Sequence, residues 1–180
     1  SSYIVGVDGM SLPLLLLTVF IVPLVVIYSW DHFPEPHNPK AFLALILILE
    51  TGMVGSFIAQ DLILFFVFFE VVLLPMYFMI GVWGGEQRQY ASIKFFLYTL
   101  FGSAMMIVAF LAVYFLSQEN GVAAADAFDM RSLTEWGGAG LASTTAVLIF
   151  GGMFMGFGIK VPMFPFHTWL PDAHTQAPTQ

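Results

Sequence analysis

Five long apolar runs constrain the fold of this chain more than any other feature of its sequence. They cover approximately residues 11–29, 41–60, 62–83, 93–117 and 144–166. Because about 20 mostly apolar residues cross the ~30 Å hydrocarbon layer of a bilayer, each run is long enough for a transmembrane helix. The runs are too long for barrel strands and lack their alternation. We therefore predict an all-α, polytopic transmembrane helical bundle of about five spans.

The composition agrees with a membrane protein and excludes several kinds of site. Hydrophobic residues make up 59% and charged residues 9% of the 180 residues, whereas soluble domains carry about 25% charged residues. The chain has no Cys, so disulfides, thiolate-bound zinc and cysteine-held iron–sulfur clusters are excluded. A net charge of −7 argues against nucleic-acid binding. The chain begins without Met and ends in a polar stretch, and we expect it to be a segment of a longer protein.

The short connections between the runs predict how the helices turn. Only Asp61 separates the second run from the third, so these helices should form a tight antiparallel pair with Asp61 as the N-cap of the third. The loop 118–143 contains DMRSLTEW, which forms either a short amphipathic surface helix or an irregular loop. The GMVGS stretch at residues 52–56 allows close contact between helices.

Glu70 is the one charged residue in FFVFFEVVLLPMYF, within the third run. A carboxylate at the centre of a bilayer costs roughly 2.5–3.5 kcal/mol. Pro75 cannot donate a hydrogen bond to the carbonyl of Val71, so we expect this carbonyl to be free beside Glu70. Water can occupy such a break, which favours a proton-carrying carboxyl group over a purely structural one.

Lys160 stands before two prolines in GFGIKVPMFPFHTWLPDAH. Pro162 and Pro165 should free the carbonyls of Gly158 and Val161, so the fifth helix should be interrupted with an ammonium group at the break. A buried lysine can change its protonation state when a carboxylate approaches or recedes. The alternative is a lysine whose long stem reaches the cytoplasmic face of the membrane.

Four further residues are candidates for the same chemistry, and two of them, Glu50 and Lys94, are weaker candidates. His167 and His174 follow Lys160, and histidine is the side chain best suited to relay protons near neutral pH; the alternative is two solvated histidines. Glu50 lies in the middle of the second run and either pairs with Lys94 or bonds to a neighbouring helix. Lys94 either anchors its helix at the membrane interface or has a functional role. The spacing of these residues does not suggest a metal site.

Four stretches of the chain stand out by their order and spacing, namely GVDGMSLPLLLLT, DLILFFVFFEVVLLPMYF, WGG with YASIKFFLYT, and IKVPMFPFHTWLPDAHTQAPT. Together they resemble the antiporter-like membrane subunits of respiratory complex I, and among these the family of bacterial chain M, which is equivalent to mitochondrial subunit 4. The resemblance covers nearly all 180 residues, and the LPDAHTQAPT ending separates it from the related multi-subunit sodium/proton antiporters.

This resemblance implies a fold and a set of site residues. Residues 1–180 would form a partial antiporter-like domain with helices three to seven of a larger inverted-repeat fold. Glu70 would match the family's glutamate on helix five, and Lys160 its lysine on the broken helix seven. With His167 and His174 they would form a proton relay, to which Glu50 and Lys94 remain weaker candidates.

The resemblance also implies a function, partners and the absence of bound cofactors. The chain would translocate protons while partner subunits oxidise NADH and reduce quinone, with FMN and iron–sulfur clusters held in those partners. Its own partners would be other membrane subunits of complex I, the lipid bilayer and protons, and no nucleic acid. Two alternatives stay open, namely a subunit of a multi-subunit sodium/proton antiporter and a non-transporting membrane scaffold.

The basic residues predict the orientation of the chain. With alternating spans, Lys40, Arg88 and Lys94 fall on one side of the membrane and Arg131 on the other, so the positive-inside rule places the first side in the cytoplasm of a bacterial cell. The first residues then lie outside and the last in the cytoplasm.

Cysteines introduced at Gln87 and Asn120 should therefore react with a membrane-impermeant thiol reagent from opposite sides of the inner membrane. Gln87→Cys should be protected in intact cells and labelled in inverted vesicles, and Asn120→Cys should behave in the opposite way. The same protein without an introduced cysteine is the background control, and residues 1–180 contain no Cys of their own. Labelling of Gln87→Cys from outside the cell would show that the chain has the opposite orientation to the one predicted.

Overall fold

A computed structural model describes residues 3–179 of the chain, and these residues form helices joined by loops. The predicted all-α class is confirmed, since within this part of the chain the only strand-type pairing consists of two isolated bridges. In chain order the elements are α1 (Ser11–Ser29), α2 (Pro39–Ile58), α3 (Leu62–Val71), α4 (Leu73–Trp83), α5 (Arg88–Glu119), α6 (Met130–Trp136), α7 (Ser143–Lys160), a 3₁₀ turn (Phe166–Thr168) and α8 (Trp169–Gln176).

Within residues 3–179, five helical segments are long and apolar enough to cross a membrane, as the sequence predicted. The third of them, Leu62–Trp83, consists of α3 and α4. Helix α5 has 32 residues and is longer than the predicted span 93–117, and within the predicted span 144–166 helix α7 ends at Lys160. Large apolar side chains such as Phe20, which is 67% exposed, cover the outer faces of the bundle, which suits a multi-pass membrane protein.

Side-chain caps fix where the first helices begin. Ser11 donates its backbone N–H to Asp8 Oδ1 at 2.7 Å, and Met10 does so at 2.9 Å. These hydrogen bonds hold the pKa of the Asp8 carboxyl below its ordinary value, with a larger effect from Ser11 than from Met10. Asn38 accepts from Ala41 at the start of α2. Such caps satisfy backbone donors that a helix leaves unpaired at its first turn.

The bend between α2 and α3 joins three parts of the chain. Asp61 accepts hydrogen bonds from the first turn of α3, so its predicted capping role is confirmed. Residues on either side of this cap pair with two distant stretches through the bridges Val5–Ala59 and Asp61–Asp129. Asp129 in turn caps α6, which confirms the short helix in DMRSLTEW. The tight pair of α2 and α3 is thus anchored at its bend.

The GMVGS stretch brings α2 close to the third span, as predicted. A Cβ on Gly55 would lie 2.2 Å from the ring of Phe68, and a Cβ on Gly52 would lie 2.8 Å from Val72. Only glycine leaves room for this approach, because any side chain at either position would overlap the neighbouring helix. The close contact positions the part of α3 that carries Glu70.

The second half of α5 packs against α7. Gly152 packs on Ala109, Gly156 packs on Met106, and Ile159 packs on Gly102. Later residues of α7 contact earlier residues of α5, so the two helices are antiparallel. Small residues at such seams let two backbones approach within a membrane.

Helix α8 lies along the first half of α5 and continues in the same direction as α7. Thr168 donates to the Tyr98 hydroxyl at 3.1 Å, and the Gln176 side chain accepts from the Gln87 backbone N–H at 3.0 Å. Apolar side chains of α4, α5 and α8 form one buried cluster at this level, namely Leu73, Ile80, Ala91, Phe95, Trp169 and Ala173. The interrupted segment α7–α8 therefore follows α5 over most of its length.

The close packing of the α7 glycines Gly152 and Gly156 on α5 predicts that an added methyl group lowers stability at some positions of α7 and not at others. Gly156→Ala places a Cβ 2.6 Å from the Cβ of Met106, so the helices must separate, at a cost of about 1–3 kcal/mol. The matched control is Gly151→Ala on the same helix, where a Cβ meets nothing within 4 Å. Thermal unfolding of the purified protein in detergent should show a lower midpoint for Gly156→Ala only. Equal midpoints for the two variants would contradict the packing described here.

Candidate functional site

The third span is interrupted at Val72, one turn before Pro75. Helix α3 ends at Val71 and α4 begins at Leu73, and Pro75 has no N–H to donate to the carbonyl four residues earlier. Glu70 lies eight residues after the start of α3, about 12 Å along the helix axis at 1.5 Å per residue. The break therefore lies within the span and directly beside the carboxyl group.

The fifth segment is interrupted directly after Lys160, which confirms the predicted break. Met163 donates its backbone N–H to the carbonyl of Gly158 at 2.7 Å. The prediction of a free carbonyl at Gly158 is therefore wrong, because the turn after α7 supplies a donor in place of Pro162. The indole N–H of Trp169 donates to the carbonyl of Ile159 at 2.8 Å, so a side chain of α8 satisfies the end of α7.

Lys160 lies near the middle of the bundle and not at its edge. Its neighbour Ile159 packs on Gly102, close to the midpoint of the 32-residue α5, and α8 continues beyond the break along the rest of that helix. The Lys160 side chain is 18% exposed. This depth argues against the alternative in which the stem of Lys160 reaches the cytoplasmic face.

The ammonium group of Lys160 contacts α3 through three different interactions. Its Nζ donates to the carbonyl of Phe69 at 2.7 Å and lies 3.4 Å from Glu70 Oε1. It also lies 3.5 Å from the centre of the Phe69 ring, an arrangement that attracts a cation to the face of an aromatic ring. The structure thus brings Glu70 and Lys160 together, but the backbone carbonyl that the ammonium uses belongs to Phe69 and not to Val71.

Ser103 on α5 is the third polar side chain of this site, and the sequence did not identify it. Its hydroxyl donates to Glu70 Oε1 at 2.5 Å, and the residue is 2% exposed. Other buried hydroxyls of α5, those of Thr99 and Ser117, donate to backbone carbonyls of their own helix. Only the fold shows which hydroxyl faces Glu70, because all of these residues lie in similar apolar surroundings in the sequence.

An apolar cavity of about 360 Å³ adjoins the ammonium group between α2, α3 and α7. Three of the phenylalanines in its wall also contact one another, with ring centres 5.2–6.0 Å apart. Its lining residues are Met53, Ser56, Phe57, Phe65, Phe69, Val72, Phe157 and Lys160. The ammonium therefore has polar partners on one side and an apolar space on the other.

Lys94 forms an ion pair with Asp172 of α8, so of the two alternatives for Glu50 the pairing with Lys94 is wrong. The Lys94 Nζ lies 2.7 Å from Asp172 Oδ2. The Asp172 partner escaped the sequence analysis because the return of α8 along α5 was not foreseen. Glu50 is half-buried on α2, and within the described part of the chain its carboxylate has no ion-pair or hydrogen-bond partner.

The two histidines lie beyond the break and do not join the Glu70–Lys160 pair. His167 is on the 3₁₀ turn, and its Nδ1 is buried without a hydrogen-bond partner. His174 is exposed in the last turn of α8. Among residues 3–179, no hydrogen bond links either histidine to Lys160, and no group of three or more His, Asp or Glu side chains could hold a metal ion.

Two family models match this chain. The model described as "NADH:quinone oxidoreductase/Mrp antiporter, TM" matches residues 59–180, and the model described as "NADH-ubiquinone oxidoreductase chain 4, amino terminus" matches residues 1–56. The first covers more than half of the chain and includes Glu70, Ser103 and Lys160.

Three similar proteins and structures illustrate the relationship. The chain is 43% identical to NADH-quinone oxidoreductase subunit M of Rhodobacter capsulatus, covering 98% of this chain and 34% of the relative. It is 36% identical to F(420)H(2) dehydrogenase subunit M of Methanosarcina mazei, over 99% and 35% respectively. In respiratory complex I from Thermus thermophilus with bound NADH, one chain matches with a TM-score of 0.77 and 33% identity, over 96% of this chain and 34% of that chain. The chain thus spans about a third of the length of these relatives.

The ion pair between Lys94 and Asp172 should contribute measurably to the stability of the bundle. In a double-mutant cycle of Lys94→Met and Asp172→Asn, thermal unfolding should give a coupling free energy of up to about 1 kcal/mol. The control pair is Arg131 and Asp129, 3.6 Å apart with the arginine 66% exposed, whose coupling should be close to zero. Equal couplings for the two pairs would show that Lys94 does not hold α8.

Proposed function

The chain belongs to the family of NADH:quinone oxidoreductase and Mrp antiporter membrane subunits, and we propose that it is a proton-translocating subunit of an NADH:quinone oxidoreductase. The observation that carries this proposal is the contact between Glu70 and Lys160, each beside a break in its own helix. Ionisable groups inside a membrane are costly and mark ion and proton pathways. The match of residues 1–56 to the amino terminus of chain 4 favours the oxidoreductase over the sodium/proton antiporter.

The mechanism we propose is electrostatic. With Glu70 beside it, the Lys160 ammonium is stabilised; when the ammonium and the carboxylate move apart, the ammonium loses this interaction and gives its proton to the next carrier. Two unit charges 4 Å apart interact by about 4 kcal/mol at an effective dielectric constant of 20. Moving one charge against 100 mV costs about 2.3 kcal/mol. A change in this single contact is therefore large enough to drive a proton against such a potential.

The histidines are proposed as carriers beyond the lysine. His167 follows the break, and its buried Nδ1, without a hydrogen-bond partner in the described residues, is free to accept or donate a proton. His174, exposed on α8, would exchange protons with the solution at the end of the path. We assign Glu50 and Lys94 lesser roles, because Glu50 has no ion-pair or hydrogen-bond partner among the residues that the structure describes and Lys94 is paired with Asp172.

The redox chemistry is proposed to take place in partner subunits. The names of the relatives differ in the electron donor, with NADH in Rhodobacter capsulatus, NAD(P)H in Gloeobacter violaceus and F(420)H(2) in Methanosarcina mazei. Similar membrane subunits thus occur with different electron donors. This supports the proposal that the chain takes no part in electron transfer. NADH oxidation, FMN, iron–sulfur clusters and quinone reduction would belong to the partners, and this chain would be an enzyme subunit without a redox site.

The proposed setting is the bacterial inner membrane, with other membrane subunits of the complex as neighbours. The first residues of the segment would lie outside and the last in the cytoplasm, in agreement with the distribution of basic residues. Residues 1–180 would be part of a larger antiporter-like domain. The exposed apolar faces of α1 and α7 suit contact with lipid or with apolar helices of such neighbours.

The proposal is tested by substitutions at both members of the pair in the full-length protein within its complex. Glu70→Ala and Lys160→Ala should each reduce quinone-dependent NADH oxidation and ΔpH formation in inverted membrane vesicles at least tenfold, because each removes the interaction that controls the proton. Glu70→Asp, which keeps the charge, should be milder. Lys160→Arg should remain defective, since arginine does not release its proton.

Two controls accompany this test. An immunoblot of the assembled complex separates lost function from lost assembly, and Glu135→Ala replaces an acidic residue that is exposed on α6. It should leave both activities unchanged. Normal proton pumping in both alanine variants of the pair would assign Glu70 and Lys160 a structural role and favour the scaffold.

A further inference from the structure

The carboxylate of Glu70 is held more closely by α5 than by its charged partner. Ser103 Oγ lies 2.5 Å from Glu70 Oε1, whereas Lys160 Nζ lies 3.4 Å from the same oxygen. The ammonium for its part is closest to the carbonyl of Phe69, at 2.7 Å. Each member of the ion pair therefore has a second, neutral partner that is nearer than the opposite charge.

We propose that Ser103 is a positioning residue of the proton-transfer site, which keeps the Glu70 carboxylate in place while Lys160 gains and loses its proton. This inference rests on the proposed function of the pair. It assigns a role to a hydroxyl that carries no charge and that touches neither the proton nor the lysine.

The role follows from what happens to the carboxylate when Lys160 is neutral. Without the ammonium, Glu70 would be a charge in an apolar environment, and such a group must be hydrogen-bonded to remain there. The Ser103 hydroxyl supplies a hydrogen bond to an ionised acceptor, which is among the stronger kinds. Because the hydroxyl is neutral in both states, it stabilises the carboxylate whether or not the lysine carries its proton.

The position of Ser103 makes this role specific. The residue is next to Gly102, at the point of α5 where α7 ends against it, and it is 2% exposed. Ser117 is also buried on the same helix, but its hydroxyl donates to the carbonyl of Tyr114, about one helical turn earlier on α5. The two serines therefore form a matched pair that differs in the group each one contacts.

The first arm of the test compares these serines in the full-length complex. Ser103→Ala should lower ΔpH formation about fivefold or more per assembled complex, since it removes a hydrogen bond to a charged group. Ser103→Thr, which keeps the hydroxyl, should recover at least half of the activity, and Ser117→Ala should match the natural protein. Ser103→Cys, with nearly the same volume and a weaker donor, should give an intermediate rate and serves as the variant least affected by changes in packing.

The second arm asks whether Ser103 acts through Glu70. In a Glu70→Asp background the shorter carboxylate no longer reaches the hydroxyl, so adding Ser103→Ala should change the rate less than twofold. If Ser103 had only a structural role, Ser103→Ala would lower the rate by the same factor in the Glu70→Asp background as in the natural protein, because independent effects add. The proposal is overturned if Ser103→Ala matches Ser117→Ala, or if its loss is the same in both backgrounds. Normal pumping by Glu70→Ala would instead contradict the proposed function of the pair itself.

Discussion

A lysine ammonium in the apolar part of a membrane must have partners, and the arrangement of α3 and α7 around Lys160 meets that requirement. The partners are a backbone carbonyl, an aromatic face and a carboxylate, all from α3. The interruption at Val72 and the end of α7 lie beside these groups. The two breaks thus create a polar site within helices whose side chains are otherwise almost entirely apolar.

Much of this arrangement could be predicted from the sequence, because membrane proteins have few local choices. Span lengths follow from the thickness of the bilayer, the cap at Asp61 from side-chain chemistry, and the break after Lys160 from the missing donors of two prolines. These signals are local, and each depends on residues within a few positions of one another.

The parts that could not be predicted depend on contacts between distant segments. The partner of Lys94 is Asp172, 78 positions away, and it is found only when α8 is known to return along α5. Ser103 is one of several hydroxyls in an apolar helix, and its contact with Glu70 depends on the rotation of α5 about its axis. The contact of Lys160 with the carbonyl of Phe69 joins positions 91 residues apart, so it too is found only when the packing of α7 on α3 is known.

The unbroken length of α5 gives the two interrupted segments one common support. Beyond the breaks, α4 and α8 pack on the first half of α5 through one apolar cluster, and the Gly85 backbone N–H, after the end of α4, donates to the carbonyl of Gln176 at 2.8 Å. Helix α4 also packs on α2, where Phe42, Ile46, Met79 and Trp83 belong to a second buried cluster. The interruptions therefore leave the ends of both segments firmly held, and the positions of Glu70 and Lys160 are set relative to the same continuous helix.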